Sequence, residues 1–225
     1  MKSVAIILAR GGSKRLPDKN IIEFHGKPML AWSIDAAMEA NCFEEIYIST
    51  DSQKIFDIAI KFGATSGELR PPRLSDDFTS STEVMRYEAS RISGKTDSIC
   101  FIYGSSPMIK SKSLLSAYNI LKDNVEINFS FPVTQFPHPP QRGFLISNKG
   151  QFKPIPNESY KKRTQDLEVI YHDAGQFYFG RRKSFIDKEE IFDKGSSCIE
   201  IPKHQCCDID DAEDLMIAKS LFKNL

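Results

Sequence analysis

The chain begins with a short apolar run that opens directly into a glycine-rich, cationic loop. Residues 4–8 form the run, Val-Ala-Ile-Ile-Leu, which is typical of a parallel strand buried on both faces. Residues 9–20 form the loop, Ala-Arg-Gly-Gly-Ser-Lys-Arg-Leu-Pro-Asp-Lys-Asn, with four cations and one acid. Glycines free the backbone, and amides and cations at the end of a strand can bind several phosphate oxygens at once. The segment therefore predicts a nucleoside triphosphate site beside a parallel sheet.

Strand and helix patterns alternate through the first part of the chain. Strands are predicted at 4–8, 45–49, 98–103 and 128–133, and helices at 28–40, 52–62, 82–92 and 112–121. The alternation indicates βαβ units, and hence an α/β fold in which a mostly parallel sheet lies between two layers of helices. Such sheets bind ligands at the carboxyl ends of their strands. We therefore expect one site to be formed by the loops after Leu8, Thr50, Leu69 and Tyr103.

The pattern changes between Pro132 and Gly180. Prolines recur there, no long helix is indicated, and β-rich aromatic pieces such as 176–179 dominate. We expect this region, about 134–180, to be an excursion of hairpins and loops that leaves the sheet. A return strand at 197–201 and a closing helix at 211–222 would complete a single domain over residues 1–225.

Composition and charge argue against several classes of protein. The 225 residues carry 30 basic and 30 acidic side chains, without the basic excess of a nucleic-acid binder. No apolar stretch approaches about 18 residues, which argues against a membrane span. The N-terminus lacks the pattern of a signal peptide, and the five cysteines show no paired C-x-x-C spacing. We therefore expect a cytoplasmic protein with reduced thiols.

The glycine loop matches neither G-x-x-x-x-G-K-[ST] nor G-x-G-x-x-G. A tight strand-to-helix turn with solvated cations would account for its glycines alone. The longer run from Arg10 to Asn20, however, resembles the N-terminal signature of CMP-sialic acid synthetases and their relatives, nucleotidyltransferases that couple CTP to acidic sugars. The resemblance implies a Rossmann-like nucleotidyltransferase fold. It also implies CTP contacts from Ala9, Arg10, Gly11, Gly12, Ser13, Lys14, Lys19 and Asn20.

A second loop begins at Arg70 and combines two prolines, two arginines and two aspartates. Taken alone, it is a stiff loop before a helix capped by Ser81 or Thr82, in which Arg73 and Asp77 could form a local ion pair. It also resembles the R-P-x-x-L-(S/A)-x-D-x-x-S loop that borders the nucleotide in the same family. The resemblance implies that Arg70 and Ser81 contact CTP.

Tyr103 opens the turn Tyr-Gly-Ser-Ser-Pro after a predicted buried strand. An aromatic residue in that position could simply end a core strand. The family has a similar turn, which implies that Tyr103 contacts the base or the sugar. Gly104 stands where the family usually has proline, so this turn departs from the family pattern.

An acidic segment, Asp-Ile-Asp-Asp-Ala-Glu-Asp, begins at Asp208. In an extended chain, Asp208 and Asp210 face the same side, and Mg²⁺ is usually held by one or two carboxylates together with substrate phosphates. Asp210 and Glu213 also fit a capping box at the start of a helix. The segment resembles the metal-binding motif of the family, so Asp208 and Asp210 are the predicted Mg²⁺ ligands.

Residues 163–180, Arg-Thr-Gln-Asp-Leu-Glu-Val-Ile-Tyr-His-Asp-Ala-Gly-Gln-Phe-Tyr-Phe-Gly, interleave polar side chains with aromatics. A cation suits a sugar carboxylate and a His-Asp pair suits acid–base chemistry, although an aromatic hairpin core would use the same residues. The run resembles the R-(S/T)-Q-D-L-E…Y-H-D-A-G-Q-F-Y-x-G signature of pseudaminic acid cytidylyltransferases. The resemblance implies contacts with an acidic nine-carbon sugar from Gln141, Arg142, Arg163, Gln165, Tyr171, His172, Asp173 and Gln176.

The family resemblance also implies a reaction, in which CTP and an α-keto acid sugar give a CMP-sugar and pyrophosphate for surface glycan or flagellin glycosylation. Mg²⁺ would be the cofactor, and catalysis would rest on positioning and charge neutralisation by Arg10, Lys19, Asp208 and Asp210. A homodimer formed through residues 134–180 is implied as well. The alternatives are the same reaction on sialic, legionaminic or 3-deoxy-octulosonic acid, a non-catalytic nucleotide-sugar-binding protein of this fold, and a Rossmann-type oxidoreductase.

Overall fold

A computed structural model of the chain describes residues 1–65, 67–92, 94–155 and 158–223. The strands are β1 (Ser3–Leu8), β2 (Glu23–Phe24), β3 (Lys27–Pro28), β4 (Glu45–Ser49), β5 (Ser98–Tyr103), β6 (Phe129–Gln135), β7 (Phe144–Ile146), β8 (Phe152–Pro154), β9 (Tyr171–Asp173), β10 (Phe177–Arg181) and β11 (Ser196–Glu200). The α-helices are α1 (Met29–Ala40), α2 (Gln53–Lys61), α3 (Ser81–Arg91), α4 (Ser111–Asp123), α5 (Arg182–Ile186) and α6 (Ala212–Phe222). Within these described ranges, no helix is long and apolar enough to cross a bilayer.

The main sheet has the strand order β11-β6-β10-β5-β1-β4, and β9 pairs with the far end of β6. Strand β1 runs parallel to both of its neighbours, with Ile6 opposite Tyr47 of β4 and Phe101 of β5. Strand β11 runs parallel to β6, whereas β10 is antiparallel to both β5 and β6. The predicted α/β fold with a mostly parallel sheet is therefore confirmed.

Alternate residues of β1 face the two helical layers, as the pleat of a strand requires. Ala5 and Ile7 pack in one cluster with residues of α1, α2 and α4. Ile6 and Leu8 pack in a second cluster with residues of α3 and α5. All four side chains are at most 8% exposed, so the sheet is covered on both faces and the three-layer arrangement is as predicted.

The predicted excursion is shorter in the structure than 134–180. Phe177–Arg181 forms β10 at the centre of the main sheet, and Tyr171–Asp173 forms β9 at its margin. Among the described residues of 134–180, the segment between β6 and β9 leaves the main sheet, and it contains the separate hairpin β7–β8. Phe177 and Phe179 are fully buried, and this burial explains why the aromatic run joins the core.

Two helix caps lie one residue from their predicted positions. Ser80, not Ser81 or Thr82, caps α3: its Oγ accepts a hydrogen bond from the Glu83 amide at 3.2 Å. Asp211, not Asp210, caps α6: its Oδ1 accepts from the Asp214 amide at 3.0 Å. Neighbouring residues of the same type can all cap a helix, and the backbone decides which one does. The shift leaves the side chains of Ser81 and Asp210 for the site.

Candidate active site

A cavity of about 530 Å³ opens at the carboxyl ends of β1 and β5. Its lining comes from the glycine loop, the loop before α3, the end of β5 and the segment before α6. The lining residues are Leu8, Arg10, Ser13, Lys14, Arg15, Lys19, Asn20, Arg70, Leu74, Asp76, Asp77, Thr79, Ser81, Val84, Tyr103, Ser105 and Asp210. Three of the four predicted loops therefore converge here, and the loop after Thr50 supports the glycine loop from outside the lining.

The glycine loop is held in place by side chains on both of its sides. Oδ1 of Asp51, just after β4, accepts a hydrogen bond from the Gly11 amide at 2.8 Å. Asn20, only 5% exposed, donates from Nδ2 to the Arg10 carbonyl at 2.9 Å. Asn20 thus serves the loop's shape, and Asp51 has a role that the sequence analysis missed. An acid directly after a strand of the predicted sheet was the available signal.

The contacts of Gly104 explain why glycine stands where the family usually has proline. Its amide donates to the Leu8 carbonyl at 2.9 Å, a bond that proline cannot make. A Cβ atom at this position would lie 2.9 Å from Oδ1 of Asn20. The turn is therefore tied to β1, and Gly104 lets Asn20 approach closely.

Two clusters of ion-paired side chains lie at the mouth of the cavity, and the first is centred on Asp77. Asp77 forms ion pairs with Nζ of Lys14 and, at 3.2 Å, with the guanidinium of Arg10. Lys14 above all holds the pKa of Asp77 below its ordinary value. Arg10 also donates to the Asp76 carbonyl at 2.5 Å. The local Arg73–Asp77 pair considered from the sequence does not form, and Arg73 lies over the Tyr87 ring instead.

The second group joins the glycine loop to the acidic segment. Nζ of Lys19 lies 3.1 Å from Oδ1 of Asp210, and the guanidinium of Arg15 lies 2.5 Å from Oδ2. Burial acts to raise the pKa of Asp210, but Lys19 and Arg15 outweigh it and hold this pKa below the ordinary value. Arg15, to which the sequence analysis gave no role, thus belongs to the site.

Asp208 lies near these groups, but it forms no ion pair with any residue that the structure describes. Burial, and then the charge of Asp210, raise the pKa of Asp208 above its ordinary value. Between the two aspartates, Ile209 is fully buried and anchors the segment in a cluster with α1 and α6. Among the described residues, no group of three or more His, Cys, Asp and Glu side chains is arranged to hold a metal. Two carboxylates still suit Mg²⁺, which takes its remaining ligands from phosphates and water, and a nearby cation would relieve the charge on Asp208.

Arg70 is a largely internal residue of the cavity wall. It is 6% exposed, and its guanidinium donates to the Ser49 carbonyl at 2.8 Å and to the Ser49 hydroxyl at 3.1 Å. The Ser49 hydroxyl in turn donates to Glu88 at 2.7 Å. Burial lowers the pKa of Arg70, although Glu88 and Asp51 oppose this shift. The charge of Arg70 is thus fixed beneath the cavity by a buried network.

Two of the predicted sugar contacts approach this cavity. The Gln176 carbonyl accepts from the Tyr103 amide at 3.0 Å, and the Gln176 side chain donates to the Gln205 carbonyl at 2.5 Å. Asp173 accepts a hydrogen bond from Tyr178, and Tyr178 contacts Tyr103. The sequence analysis missed Tyr178, because an aromatic residue in a strand is usually a core residue.

The other predicted sugar contacts lie on the excursion and on β9. Gln141 donates to the Glu168 carbonyl, Arg142 to the Lys162 carbonyl, Tyr171 to Glu200, and His172 Nδ1 to the Asp173 carbonyl, while Arg163 pairs with Asp166. Gln165 is exposed in a short 3₁₀ turn. In the described part of this single chain, the cavity lining contains none of the eight predicted sugar contacts.

Comparison with known proteins gives one consistent family. A profile of the family described as cytidylyltransferase matches residues 4–199. The chain is 40% identical to a pseudaminic acid cytidylyltransferase of Campylobacter jejuni, over 99% of this chain and 97% of that protein. It is 29% identical to an N-acylneuraminate cytidylyltransferase of Streptococcus agalactiae, over 96% of this chain and 52% of that protein. A solved CMP:2-keto-3-deoxy-manno-octonic acid synthetase complexed with CTP shares the fold, with a TM-score of 0.73, 18% identity, and coverage of 100% and 99%.

Proposed function

The chain belongs to the cytidylyltransferase family, and from this premise we propose that it transfers the cytidylyl group of CTP to pseudaminic acid. The products are CMP-pseudaminic acid and pyrophosphate, and the reaction supplies surface glycan or flagellin glycosylation. The observation that supports the proposal best is a cavity rimmed by four cations of one glycine loop in a chain 40% identical to a pseudaminic acid cytidylyltransferase.

CTP enters the cavity with its triphosphate over the glycine loop. Arg10, Lys14 and Lys19 bind the phosphates, because cations and backbone amides at the end of a strand suit several anionic oxygens. Their charge stabilises the leaving pyrophosphate, whose negative charge grows as the bond to the α-phosphorus breaks. In the structure, Asp77 forms ion pairs with Arg10 and Lys14, and Asp210 forms one with Lys19. CTP binding therefore replaces these carboxylates by phosphates as partners of the three cations.

Asp208 and Asp210 would hold Mg²⁺. When bound, Mg²⁺ supplies charge neutralisation and Lewis acidity at phosphate oxygens. Asp208 remains available for a cation, because burial and then the charge of Asp210 raise its pKa and disfavour the bare carboxylate. If Lys19 and Arg15 turn to the phosphates, the Asp210 carboxylate would be free to hold the cation. The buried Ile209 anchors the segment that carries both carboxylates, and Asp210 lines the cavity.

The acid sugar lies on the side of the cavity lined by Tyr103, next to which lie Gln176 and, on the other side of Tyr178, Asp173. Its anomeric hydroxyl attacks the α-phosphorus in line, and the enzyme contributes mainly by holding the reactants in that geometry. The identity of the sugar is supported by the run that contains His172-Asp-Ala-Gly-Gln-Phe-Tyr. The alternatives, sialic, legionaminic or 3-deoxy-octulosonic acid, are competing substrates in the same assay.

We further propose a homodimer formed through the excursion. In the single chain, the hairpin β7–β8 exposes Phe144, Ile146 and Phe152 by 53%, 67% and 61%. A group of large apolar side chains in one hairpin is typical of a surface that is covered by another chain. The predicted sugar contacts Arg142 and Arg163 lie on the same excursion, so they would lie near the partner.

All five cysteines of the chain are free thiols, which suits a cytoplasmic enzyme.

The test is a substrate panel. The protein is incubated with CTP, Mg²⁺ and each of pseudaminic, legionaminic, sialic and 3-deoxy-octulosonic acid, and products are identified by mass spectrometry. CMP-pseudaminic acid should form at least ten times faster than any other product. Faster turnover of another acid would overturn the substrate assignment, and no CMP-sugar from any acid would favour the non-catalytic alternative.

A further inference from the structure

A line of hydroxyl groups crosses the wall between the nucleotide cavity and the predicted sugar segment. The Tyr178 hydroxyl on β10 donates a hydrogen bond to Oδ2 of Asp173, at the end of β9. The Tyr103 and Tyr178 rings meet edge to face with their centroids 6.1 Å apart, and the side chains of Ser81 and Tyr178 both act on the pKa of Tyr103. Ser81 and Tyr103 line the nucleotide cavity. The line therefore begins at the cavity and ends at the predicted sugar side.

The chemistry of the four groups sets the direction of the hydrogen bonds. An ionised carboxylate only accepts, so the single proton of Tyr178 goes to Asp173. The Tyr178 oxygen can then accept a hydrogen bond from Tyr103, and the Tyr103 oxygen can accept one from Ser81. Oδ1 of Asp173 is occupied as well, since it accepts from the Gly175 amide at 3.1 Å. Asp173 is thereby oriented from both of its oxygens.

Packing alone does not require a hydroxyl at Tyr178. The residue is only 7% exposed, and its ring lies among the rings of Phe131, Phe192 and Tyr103, with centroids 6.0–6.1 Å away. A phenylalanine would fill the same space, and a buried hydroxyl is unfavourable unless it is hydrogen-bonded. Burial raises the pKa of Tyr103 and of Tyr178. Both hydroxyls consequently keep their protons and can donate.

We propose that Tyr178 is a positioning residue that couples the nucleotide side of the site, Ser81 and Tyr103, to Asp173 on the acid-sugar side. Removing its hydroxyl leaves Asp173 and Tyr103 each with one partner fewer, and each side chain can then turn independently. The two sides are coupled when a change on one alters binding on the other, which is an energetic quantity that can be measured. The proposal rests on the proposed function where it names the Ser81 and Tyr103 side as the nucleotide side and the Asp173 side as the acid-sugar side.

The test is a double-mutant cycle on CTP affinity, measured by calorimetry with CTP and Mg²⁺ and no sugar. Asp173→Asn is made alone and together with Tyr178→Phe. The factor by which Asp173→Asn changes the Kd for CTP should be at least three times larger when Tyr178 is intact than in the Tyr178→Phe variant. A direct electrostatic effect of Asp173 on CTP is the same in both backgrounds and cancels. Equal effects in both backgrounds would overturn the proposal.

The test has a matched control variant, and a second cycle replaces the first if Tyr178→Phe does not fold. Tyr118→Phe also removes one tyrosine hydrogen bond, to the Met1 carbonyl at 2.9 Å, away from the cavity. It should leave the Kd for CTP and the effect of Asp173→Asn unchanged. If Tyr178→Phe does not fold, Tyr103→Phe replaces it, because that change interrupts the same line one step nearer the nucleotide. Additive effects of Tyr103→Phe and Asp173→Asn would equally overturn the proposal.

Turnover separates a positioning role from a merely structural one. With the acid sugar that the wild-type enzyme uses best, Tyr178→Phe should raise KM for the sugar about tenfold, as expected for a lost hydrogen bond to a charged group. KM for CTP should change by less than twofold, and Tyr118→Phe should change neither. An equal loss in both KM values would overturn the proposal. The calorimetric cycle needs no sugar, so failure of pseudaminic acid as a substrate is distinguishable from failure of this inference.

Discussion

The ammonium group of Lys19 lies 3.1 Å from Oδ1 of Asp210, and this contact joins the glycine loop to a segment 191 residues further along the chain. Lys19 is the most enclosed of the ion-paired lysines, with 17% of its side chain exposed. Because Arg15 binds the other carboxylate oxygen, one acid is shared by two cations. The predicted phosphate site and the predicted metal site are thus a single electrostatic unit.

Replacing Lys19 by methionine should abolish most of the activity without unfolding the protein. In the proposed mechanism Lys19 stabilises the leaving pyrophosphate, so Lys19→Met should lower kcat about 100-fold or more. The measurements are pyrophosphate release and the melting temperature, which should stay within about 2 °C. Lys54→Met is the control, since Lys54 is 65% exposed and pairs only with Asp18 at 2.9 Å. Near-normal turnover by Lys19→Met would refute its catalytic assignment.

Asp208→Asn should change the metal requirement. The variant lacks one of the two proposed carboxylate ligands, so the Mg²⁺ concentration for half-maximal rate should rise at least about tenfold, and kcat should fall by orders of magnitude. A titration of the initial rate against Mg²⁺ measures both effects. Asp187→Asn removes the same charge from an exposed residue whose partner, Lys183, is 4.0 Å away. An unchanged Mg²⁺ dependence in Asp208→Asn would exclude Asp208 as a ligand.

The raised pKa of Asp208 predicts a pH-dependent stability without metal. The folded state binds this proton more tightly than the unfolded state, so ionised Asp208 destabilises the fold above its folded pKa. Asp208→Asn should therefore melt at a higher temperature than the wild type at pH 7 without Mg²⁺. The difference should shrink as pH falls through the raised pKa towards the ordinary value of 3.8. A variant less stable than wild type at pH 7 would contradict the assignment.

Asp77→Asn should strengthen CTP binding. Asp77 competes with the phosphates for Arg10 and Lys14, and exposed ion pairs of this kind are weak but not negligible. The Kd for CTP should fall about two- to fivefold at low salt, and the gain should diminish as salt screens the charges. Asp57→Asn, on the exposed face of α2, makes the same charge change away from the cavity. Weaker CTP binding in Asp77→Asn would mean that Asp77 supports the nucleotide.

The dimer proposal predicts a monomer after one substitution in the hairpin. Ile146→Asp places a charge on the apolar surface of β7, where 67% of Ile146 is exposed in the single chain. Light scattering after gel filtration should show the mass of a dimer for the wild type and of a monomer for the variant. Val125→Asp, at an 82% exposed residue outside the hairpin, should remain a dimer. A monomeric wild type at micromolar concentration would refute the proposal.

Local patterns were sufficient to predict the first half of the fold. The apolar run of β1 and its glycine loop lie next to each other in the sequence, so the strand, the turn and the cations could be predicted together. The same holds for the helical periods of α1 and α2. Contacts that depend on distant backbone could not be predicted in this way. The Asp51–Gly11 bond requires β4 to lie beside β1, which the sequence implies only after the topology is known.

The second half shows the limits of local reasoning. The aromatic run of β10 has the composition of a hairpin and of a core strand alike, and only its neighbours β5 and β6 decide between them. The caps of α3 and α6 lie among several residues of equal capping ability, so an error of one residue was unavoidable. That single residue matters, because it determines whether Asp210 serves the helix or the site.

Strand β10 lies between β5 and β6, although it follows β5 by some 70 residues in the chain. During synthesis, β5 therefore keeps one edge of unpaired backbone groups until residues 177–181 have left the ribosome, and such an edge is prone to pairing with other chains. The contact between Tyr103 and Tyr178 forms in the same late step. The glycine loop is synthesised early, but the active site is not enclosed until β10 has inserted between β5 and β6.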